Sequence, residues 1–295
     1  MEFPYVIMTD LSCDMDLAEA EAADIRLIPM SYMLGDEERV CSQFESYETL
    51  HRFYEAQRNG MLTKTTQIPP QVYKEVFTEL VKAGRQVLYL ALSSGLSNTF
   101  ASASMAAGWV MEKYPEGKIV CVDSRAATVG LGLLMQAAIR NRASGMTPDE
   151  NATWLEANRL RVQHWFMVDD LMYLKRGGRV SATTAIVGTA LNIKPILTIN
   201  AEGKLDTIAK KRGERTAMAY LIDRFRETRD VKPEEQIFIA HCDAPDRAAQ
   251  MAEMARAVNP DAKITIRQIT PIIGAHVGPG MCAIVSWGSG REKKA

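Results

Sequence analysis

The sequence lacks the cysteine pattern of a disulfide-rich or zinc-binding protein. It has 5 cysteines in 295 residues, an odd number, and no two of them form a CxxC pair. Cys121 and Cys282 lie in apolar, strand-like runs, where a thiol usually serves as a small buried hydrophobic group. Scattered cysteines of this kind predict a reduced, cytoplasmic protein.

Long apolar runs and an excess of either charge are absent as well. No stretch approaches the length of a membrane-spanning helix, and the N-terminus lacks the basic start and apolar stretch of a signal peptide. We therefore expect a soluble protein without stable membrane insertion. The 35 Lys and Arg residues balance 36 Asp and Glu residues, which gives a formal net charge of -1 and argues against nucleic-acid binding.

Several catalytic and metal-binding motifs are also missing. The sequence contains no HExxH, no cysteine–histidine zinc spacing, no EF-hand loop and no G-x-S-x-G nucleophile elbow. The loop Leu92–Thr99 lies between a predicted strand and a predicted helix and has one glycine, so it is neither a P-loop nor a dinucleotide-binding fingerprint. These absences predict that the protein uses no metal ion and no cofactor.

Short apolar runs alternate with longer helical patterns along nearly the whole chain. This alternation predicts an α/β protein with largely parallel sheets. The predicted strands are Tyr5–Met8, Arg26–Met33, Val87–Leu92, Ile119–Val122, His164–Val168, Ile193–Ile199, Leu205–Ala209, Gln236–His241, Ala262–Gln268 and Met281–Ser286. The predicted helices are Tyr47–Arg58, Pro70–Lys82, Ser97–Lys113, Thr128–Ser144, Pro148–Leu160, Glu214–Thr228 and Pro245–Val258.

The length allows two hydrophobic cores, and the best boundary lies between Leu160 and Asp169. We place it after residue 165, which gives an N-terminal domain of residues 1–165 and a C-terminal domain of residues 166–295. No flexible Gly/Ser linker separates them. The crevice between two closely packed domains is the expected ligand position.

Two short polar stretches carry small hydroxyl groups and contain no Lys or Arg. Thr65–Gln67 is one of them, and Ser93–Ser97 lies between a predicted strand and a predicted helix. A helix N-terminus attracts carboxylate or phosphate. Ser97 is explained as a helix cap, whereas Ser93 and Ser94 are left to contact a ligand.

A third loop, Gly274–Gly280, contains one histidine among three glycines. Glycines let the backbone approach a ligand closely, so we expect His276 to contact it. The other histidines (His51, His164 and His241) and the aspartates that follow strands (Asp10, Asp14 and Asp123) are given structural roles.

Two basic sites remain. Arg179 ends the turn Lys175–Arg179, and Arg212 ends the run Lys210–Arg212. We expect these two arginines to contact an anion or the acidic surface of a partner protein.

The motifs taken in order resemble those of the DegV family of bacterial fatty-acid-binding proteins, and the resemblance runs over nearly the whole chain. It rests on the Thr-Asp-x-Ser-x-Asp start, Thr-Thr-Gln, Ser-Ser-Gly-Leu-Ser, Val-Asp-Ser, Gly-Gly-Arg and the loop around His276. The resemblance implies a three-layer N-terminal domain with a parallel sheet, a two-layer C-terminal domain with a mixed sheet, and a ligand between them.

The resemblance also implies a function and a set of site residues. The chain is expected to bind a long-chain fatty acid, with Thr65, Ser93, Ser94 and His276 around the carboxylate. The expected partner is an ATP-binding fatty acid kinase subunit that converts the carboxylate to an acyl phosphate for phospholipid synthesis. The chain itself is then a non-catalytic carrier.

Two alternatives stay open from the residues alone. One is a serine hydrolase that cleaves an acyl ester with Ser94 or Ser93, His276 and Asp123. The other is a regulatory lipid sensor whose partner is not a kinase.

Overall fold

A computed structural model of the chain describes residues 3–41, 46–181, 192–232 and 235–291. The strands are β1 Val6–Asp10, β2 Ile25–Ile28, β3 Met30–Leu34, β4 Glu37–Cys41, β5 Thr63–Thr66, β6 Val87–Ala91, β7 Ile119–Asp123, β8 Val162–Met167, β9 Ile193–Ile199, β10 Leu205–Arg212, β11 Gln236–His241, β12 Lys263–Gln268 and β13 Cys282–Trp287. The helices are α1 Leu17–Ala22, α2 Tyr47–Arg58, α3 Pro70–Lys82, α4 Thr99–Lys113, α5 Val129–Ala143, α6 Pro148–Asn158, α7 Met172–Arg176, α8 Glu214–Thr228, α9 Pro245–Val258 and α10 Pro271–Val277. Short 3₁₀ turns lie at Leu11–Cys13 and Arg159–Arg161.

The N-terminal domain is built on a parallel sheet with strand order β2-β1-β6-β7. Every residue of β1 and β6 is buried, so both faces of this sheet are covered. Continuous apolar strands are typical of a parallel sheet between helix layers. Helices α3, α4 and α6 pack on its strands, which confirms the expected three-layer α/β arrangement.

The C-terminal domain is built on a sheet with strand order β10-β9-β8-β13-β11-β12. Only β11 and β12 pair in parallel, so the expectation of largely parallel sheets holds for the N-terminal domain and not for this one. A mixed sheet is what the family resemblance implied. Helices α8 and α9 cover one face through a second apolar cluster, which leaves the other face toward the N-terminal domain.

One predicted strand is wrong. The run Arg26–Met33 forms two strands, β2 and β3, that belong to different sheets. Pro29 lies between them and has no N–H to continue a sheet ladder, so the chain leaves the parallel sheet at this point. Strand β3 pairs instead with β4 and β5 in a small antiparallel sheet.

Most helix bounds agree with the sequence patterns, and α2, α3, α8 and α9 match them residue for residue. The patterns missed the strands β4 and β5 and the short helices α1, α7 and α10. The division at residue 165 stays a prediction; β8, which spans that point, pairs with the C-terminal sheet. Within the described residues, no helix has both the length and the apolar character that crossing a bilayer requires.

The first motif of the chain ties the two domains together. Asp14 follows the 3₁₀ turn with a φ of 45° and is 2% exposed. Its Oδ1 accepts a hydrogen bond from the backbone N–H of Thr270, 2.9 Å away, directly before α10. Burial raises the pKa of Asp14 from 3.8 to about 7.

This pKa predicts a pH-dependent effect of Asp14→Asn on stability. Because the folded carboxyl keeps its proton up to about pH 7, its contribution to the unfolding free energy is full below about pH 4 and is lost as pH rises through 7. Asparagine can still accept from Thr270 and carries no charge. The unfolding free energy of the variant, relative to that of the wild type, should therefore rise by up to about 4 kcal/mol between pH 4 and pH 7.5. Urea unfolding at each pH measures this difference.

Asp261→Asn is the matched control, since it makes the same change at an exposed position. An equal pH-dependent gain in that control, or no gain in Asp14→Asn, would contradict the assignment of this effect to burial of Asp14.

Candidate functional site

A cavity of about 370 Å³ lies between the N-terminal loops and the inner face of the C-terminal sheet. Its lining is mostly apolar and includes Phe166, Ile199, Leu205, Ala283 and Val285. Its polar side chains include Thr65, Ser94, Arg179 and His276. An apolar pocket with a few convergent polar groups is the usual form of a small-molecule site.

Strand β5 places Thr65 against helix α10. Side chains two residues apart on a strand point the same way. The Thr63 hydroxyl accordingly donates to the carbonyl of Ala275 at 3.0 Å, and Thr65 Oγ1 lies 2.8 Å from Nε2 of His276. Gln57 of α2 also donates to the carbonyl of Gly274, so α10 is fixed from two sides.

His276 is uncharged at neutral pH in this position. Burial, together with the positive charge of Arg179, lowers its pKa to about 4. Its Nδ1 is buried and has no hydrogen-bond partner among the described residues. A neutral imidazole carries one proton. With that proton on Nε2, His276 donates to Thr65, and the threonine hydroxyl is free to donate into the cavity.

Ser94 also lies at the cavity, and its hydrogen bonds go to Asp123 at the end of β7. Its hydroxyl donates to Asp123 Oδ2 at 2.6 Å, and its backbone N–H donates to Oδ1 at 3.0 Å. The structural role expected for Asp123 therefore includes a direct contact with a predicted site residue.

Ser93 is placed differently from the prediction. Its side chain is fully buried and is not part of the cavity lining. Its hydroxyl donates to the carbonyl of Gly203 at 2.7 Å and accepts from the N–H of Gly95 at 3.2 Å. Ser93 thus holds its loop against the turn between β9 and β10, and its hydroxyl is already used in that contact.

The same contact depends on two glycines. A Cβ on Gly95 would lie 2.5 Å from the carbonyl oxygen of Gly203, and a Cβ on Gly203 would lie 2.1 Å from Ser93 Oγ. Sequence reasoning did not single out Gly203. The available signal was a glycine in a short polar turn between two strand patterns.

The two arginines lie in different places. Arg179 lines the cavity, and its Nε donates to the carbonyl of Leu96 at 3.0 Å. The loops Thr65–Gln67 and Ser93–Ser97 carry no fixed positive charge, and Arg179 brings one to the cavity that they line. Arg212 is exposed at the end of β10 and is not among the lining residues.

The contacts do not form the Ser-His-Asp order that a serine hydrolase would use. Ser94 contacts Asp123, and His276 contacts Thr65. In a triad the histidine lies between the nucleophile and the acid. The hydrolase alternative therefore gains no support from this geometry.

One further polar cluster has the residue types of a metal site. His51, Glu55 and Asp243 form the one group among the described residues whose side chains could together reach a metal ion. Arg58 forms ion pairs with both carboxylates, and His51 Nδ1 lies 2.9 Å from Asp243. Arg58 already pairs with both acids, so the cluster is better explained as an ion-pair contact between α2 and the loop after β11.

The chain matches a known protein family over nearly its whole length. A family model described as "Uncharacterised protein, DegV family" matches residues 4–288. A DegV domain-containing protein of Clostridium perfringens is 38% identical over 289 residues, which cover 98% of this chain and 99% of that protein.

Two solved structures share the fold. A DegV lipid binding protein from Thermotoga maritima has a TM-score of 0.83 and 26% identity, covering 98% of this chain and 100% of that one. A DegV family protein from Thermus thermophilus, described by its fatty acid binding, has a TM-score of 0.85 and 25% identity, covering 97% of this chain and 100% of that one.

The close approach at Gly95 generates a prediction. Gly95→Ala should reduce the unfolding free energy by about 1–3 kcal/mol, because the added methyl group meets backbone atoms. Urea unfolding measures the change. The control is Gly108→Ala in α4, where a Cβ would meet nothing within 4 Å; there we expect a gain of up to ~1 kcal/mol. Equal effects of the two substitutions would contradict the contact.

Proposed function

The chain belongs to the DegV family, and from this premise and the cavity we propose that it binds a long-chain fatty acid. The tail would occupy the apolar part of the cavity. The carboxylate would lie at the domain interface, beside Thr65, Ser94 and His276. The observation that carries the proposal is the Thr65–His276 hydrogen bond at the edge of an apolar cavity.

The apolar lining supports the tail. Burying about 15 methylene groups would contribute roughly 12 kcal/mol at ~0.8 kcal/mol each, before the costs of ordering the ligand. Similar proteins from Thermotoga maritima and Thermus thermophilus are described as binding lipid and fatty acid.

The polar side supports the head group. A buried carboxylate without donors would cost several kcal/mol. The Thr65 hydroxyl, oriented by His276, offers one donor. Arg179 adds a positive charge on the same cavity, while part of its guanidinium is held by the backbone carbonyls of Leu96 and Gly177.

We further propose that the chain presents the fatty acid to an ATP-binding kinase partner. A carboxylate oxygen would attack the γ-phosphorus of the partner's ATP, the bond from that phosphorus to the bridging oxygen would break, and ADP would leave. The products are ADP and an acyl phosphate, a precursor for phospholipid synthesis. The sequence has no P-loop, which is consistent with nucleotide binding by the partner.

The two predicted anion-contacting arginines fit separate parts of this proposal. Arg179 lies where it can face the carboxylate or the transferred phosphoryl group. Arg212 is exposed and outside the cavity, so a contact with the partner protein suits it better.

The first test is retention of lipid. Mass spectrometry of denatured protein purified from cells should find a long-chain fatty acid at close to one per chain. Thr65→Val removes the hydroxyl at nearly constant volume and should weaken fatty-acid binding by on the order of tenfold, because the carboxylate loses a donor.

The matched control is Thr153→Val, on an exposed face of α6. It should retain as much lipid as the wild type. Absence of fatty acid from the wild type, and no binding of added palmitate or oleate, would refute the proposed function.

The second test concerns the reaction. With a purified fatty acid kinase subunit and ATP, the loaded chain should yield acyl phosphate, trapped as a hydroxamate. His276→Ala should reduce the yield at least tenfold, since Thr65 loses the group that orients it. Acyl phosphate formed equally well without the chain would contradict the carrier role. Labelling of Ser94 by a fluorophosphonate would instead support the hydrolase.

A further inference from the structure

The direction of the hydrogen bond between Ser94 and Asp123 is fixed by chemistry. An ionised carboxylate only accepts hydrogen bonds, and a serine hydroxyl has one proton to donate. The Ser94 hydroxyl lies 2.6 Å from Asp123 Oδ2 and therefore donates its one hydrogen bond to that oxygen. Its oxygen can then only accept from a molecule in the cavity.

Asp123 is held firmly in this arrangement. It is 6% exposed, and its Oδ1 accepts from the backbone N–H groups of Ser94 and Arg125, each at 3.0 Å. Arg125 Nε lies 3.6 Å from Oδ2, and Arg159 donates to the carbonyl oxygen of Asp123. Neither the acid nor the loop of Ser94 can turn away without breaking several of these contacts.

We propose that Asp123 is a positioning residue that withholds the proton of Ser94 from a bound carboxylate and so keeps the fatty-acid head group loosely held. The inference rests on the proposed function. A ligand carboxylate beside Ser94 must compete with Asp123 for one proton, and the two anions repel each other across that hydroxyl. Ser94 consequently contributes little to affinity, and Thr65 contributes most of the hydroxyl donation.

Loose binding of the head group has a physical use in a carrier. The apolar tail alone provides a large favourable free energy. A carboxylate held by every available donor would add to this and slow exchange of the lipid, because affinity differences within one site arise mainly in the dissociation rate. Asp123 limits the affinity that the head group adds, while Ser94 stays in the site.

The test is Asp123→Asn. Asparagine keeps an oxygen for the two backbone N–H groups and places an amide NH₂ where Oδ2 was. That NH₂ donates to Ser94 Oγ, so the serine proton is released toward the cavity. Oleate and palmitate should bind on the order of tenfold more tightly and dissociate correspondingly more slowly. A merely structural role for Asp123 predicts weaker binding.

A second substitution measures the coupling. Ser94→Ala in the wild-type background should weaken binding less than about threefold, whereas in the Asp123→Asn background it should abolish the tenfold gain. The single variant keeps the inference testable even if Asp123→Asn folds poorly. A tenfold or larger loss in the single Ser94→Ala variant would overturn the inference.

The outcomes separate the inference from the function on which it rests. If the wild type binds no fatty acid, the proposed function fails. If the wild type binds, and Asp123→Asn binds equally or more weakly with an unchanged unfolding midpoint, the function stands and the role assigned to Asp123 is wrong.

Discussion

The hydrogen bond between Thr65 and His276 is the contact on which the site depends. It joins two residues 211 positions apart, one on a strand of the small antiparallel sheet and one on α10. Three neighbouring hydrogen bonds hold α10 and the residue before it: Thr63 of β5 donates to the carbonyl of Ala275, Gln57 of α2 donates to that of Gly274, and Asp14 accepts from the N–H of Thr270. Leaving a buried polar group without a partner is costly, so these bonds favour one position of α10 against the N-terminal elements.

The need of buried polar groups for hydrogen-bond partners also shapes the loop that carries Ser93 and Ser94. Ser93 and Ser94 are adjacent and chemically identical, yet their hydroxyls face different partners. Ser93 is fully buried and pairs with the backbone of the β9–β10 turn, whereas Ser94 reaches the cavity and pairs with Asp123. The two serines therefore divide between fastening the loop and lining the site.

Local signals account for what the sequence predicts well. Pro70 and Pro245 begin helices whose bounds the patterns give correctly, because proline suits the first turn of a helix. Non-local pairing accounts for what was missed. Strand β5 has only 4 residues, without the apolar residues of the other strands, and α10 has only 7 residues, so neither carries a clear periodic pattern; each is set by its neighbours in the fold.

The candidate site shows the same division. Family resemblance, not spacing, brought Thr65, Ser94 and His276 together in the prediction. Gly203 reaches the loop only through the packing of the two domains, which the sequence does not show, whereas Asp123 reaches Ser94 because β7 pairs with β6 in the N-terminal sheet. Arg179 was expected near an anion, but its place on the cavity wall depends on the turn after α7 packing beside Leu96.

Among the described residues, the cavity is lined by one permanent cation, Arg179, and the polar donors Arg179, Ser94 and His276 are already hydrogen-bonded within the protein. This combination argues for an exchangeable ligand. Arg179 brings charge to the cavity, yet its Nε and one terminal nitrogen are bound to backbone carbonyls, so it is poorly placed for a two-point clamp on a carboxylate. His276 is neutral because of burial, and the Ser94 proton is held by Asp123. Each group that could bind the acid strongly is thus partly occupied by the protein itself. For the proposed fatty acid, the apolar tail would then supply most of the affinity, and the carboxylate oxygens would remain accessible to the proposed partner.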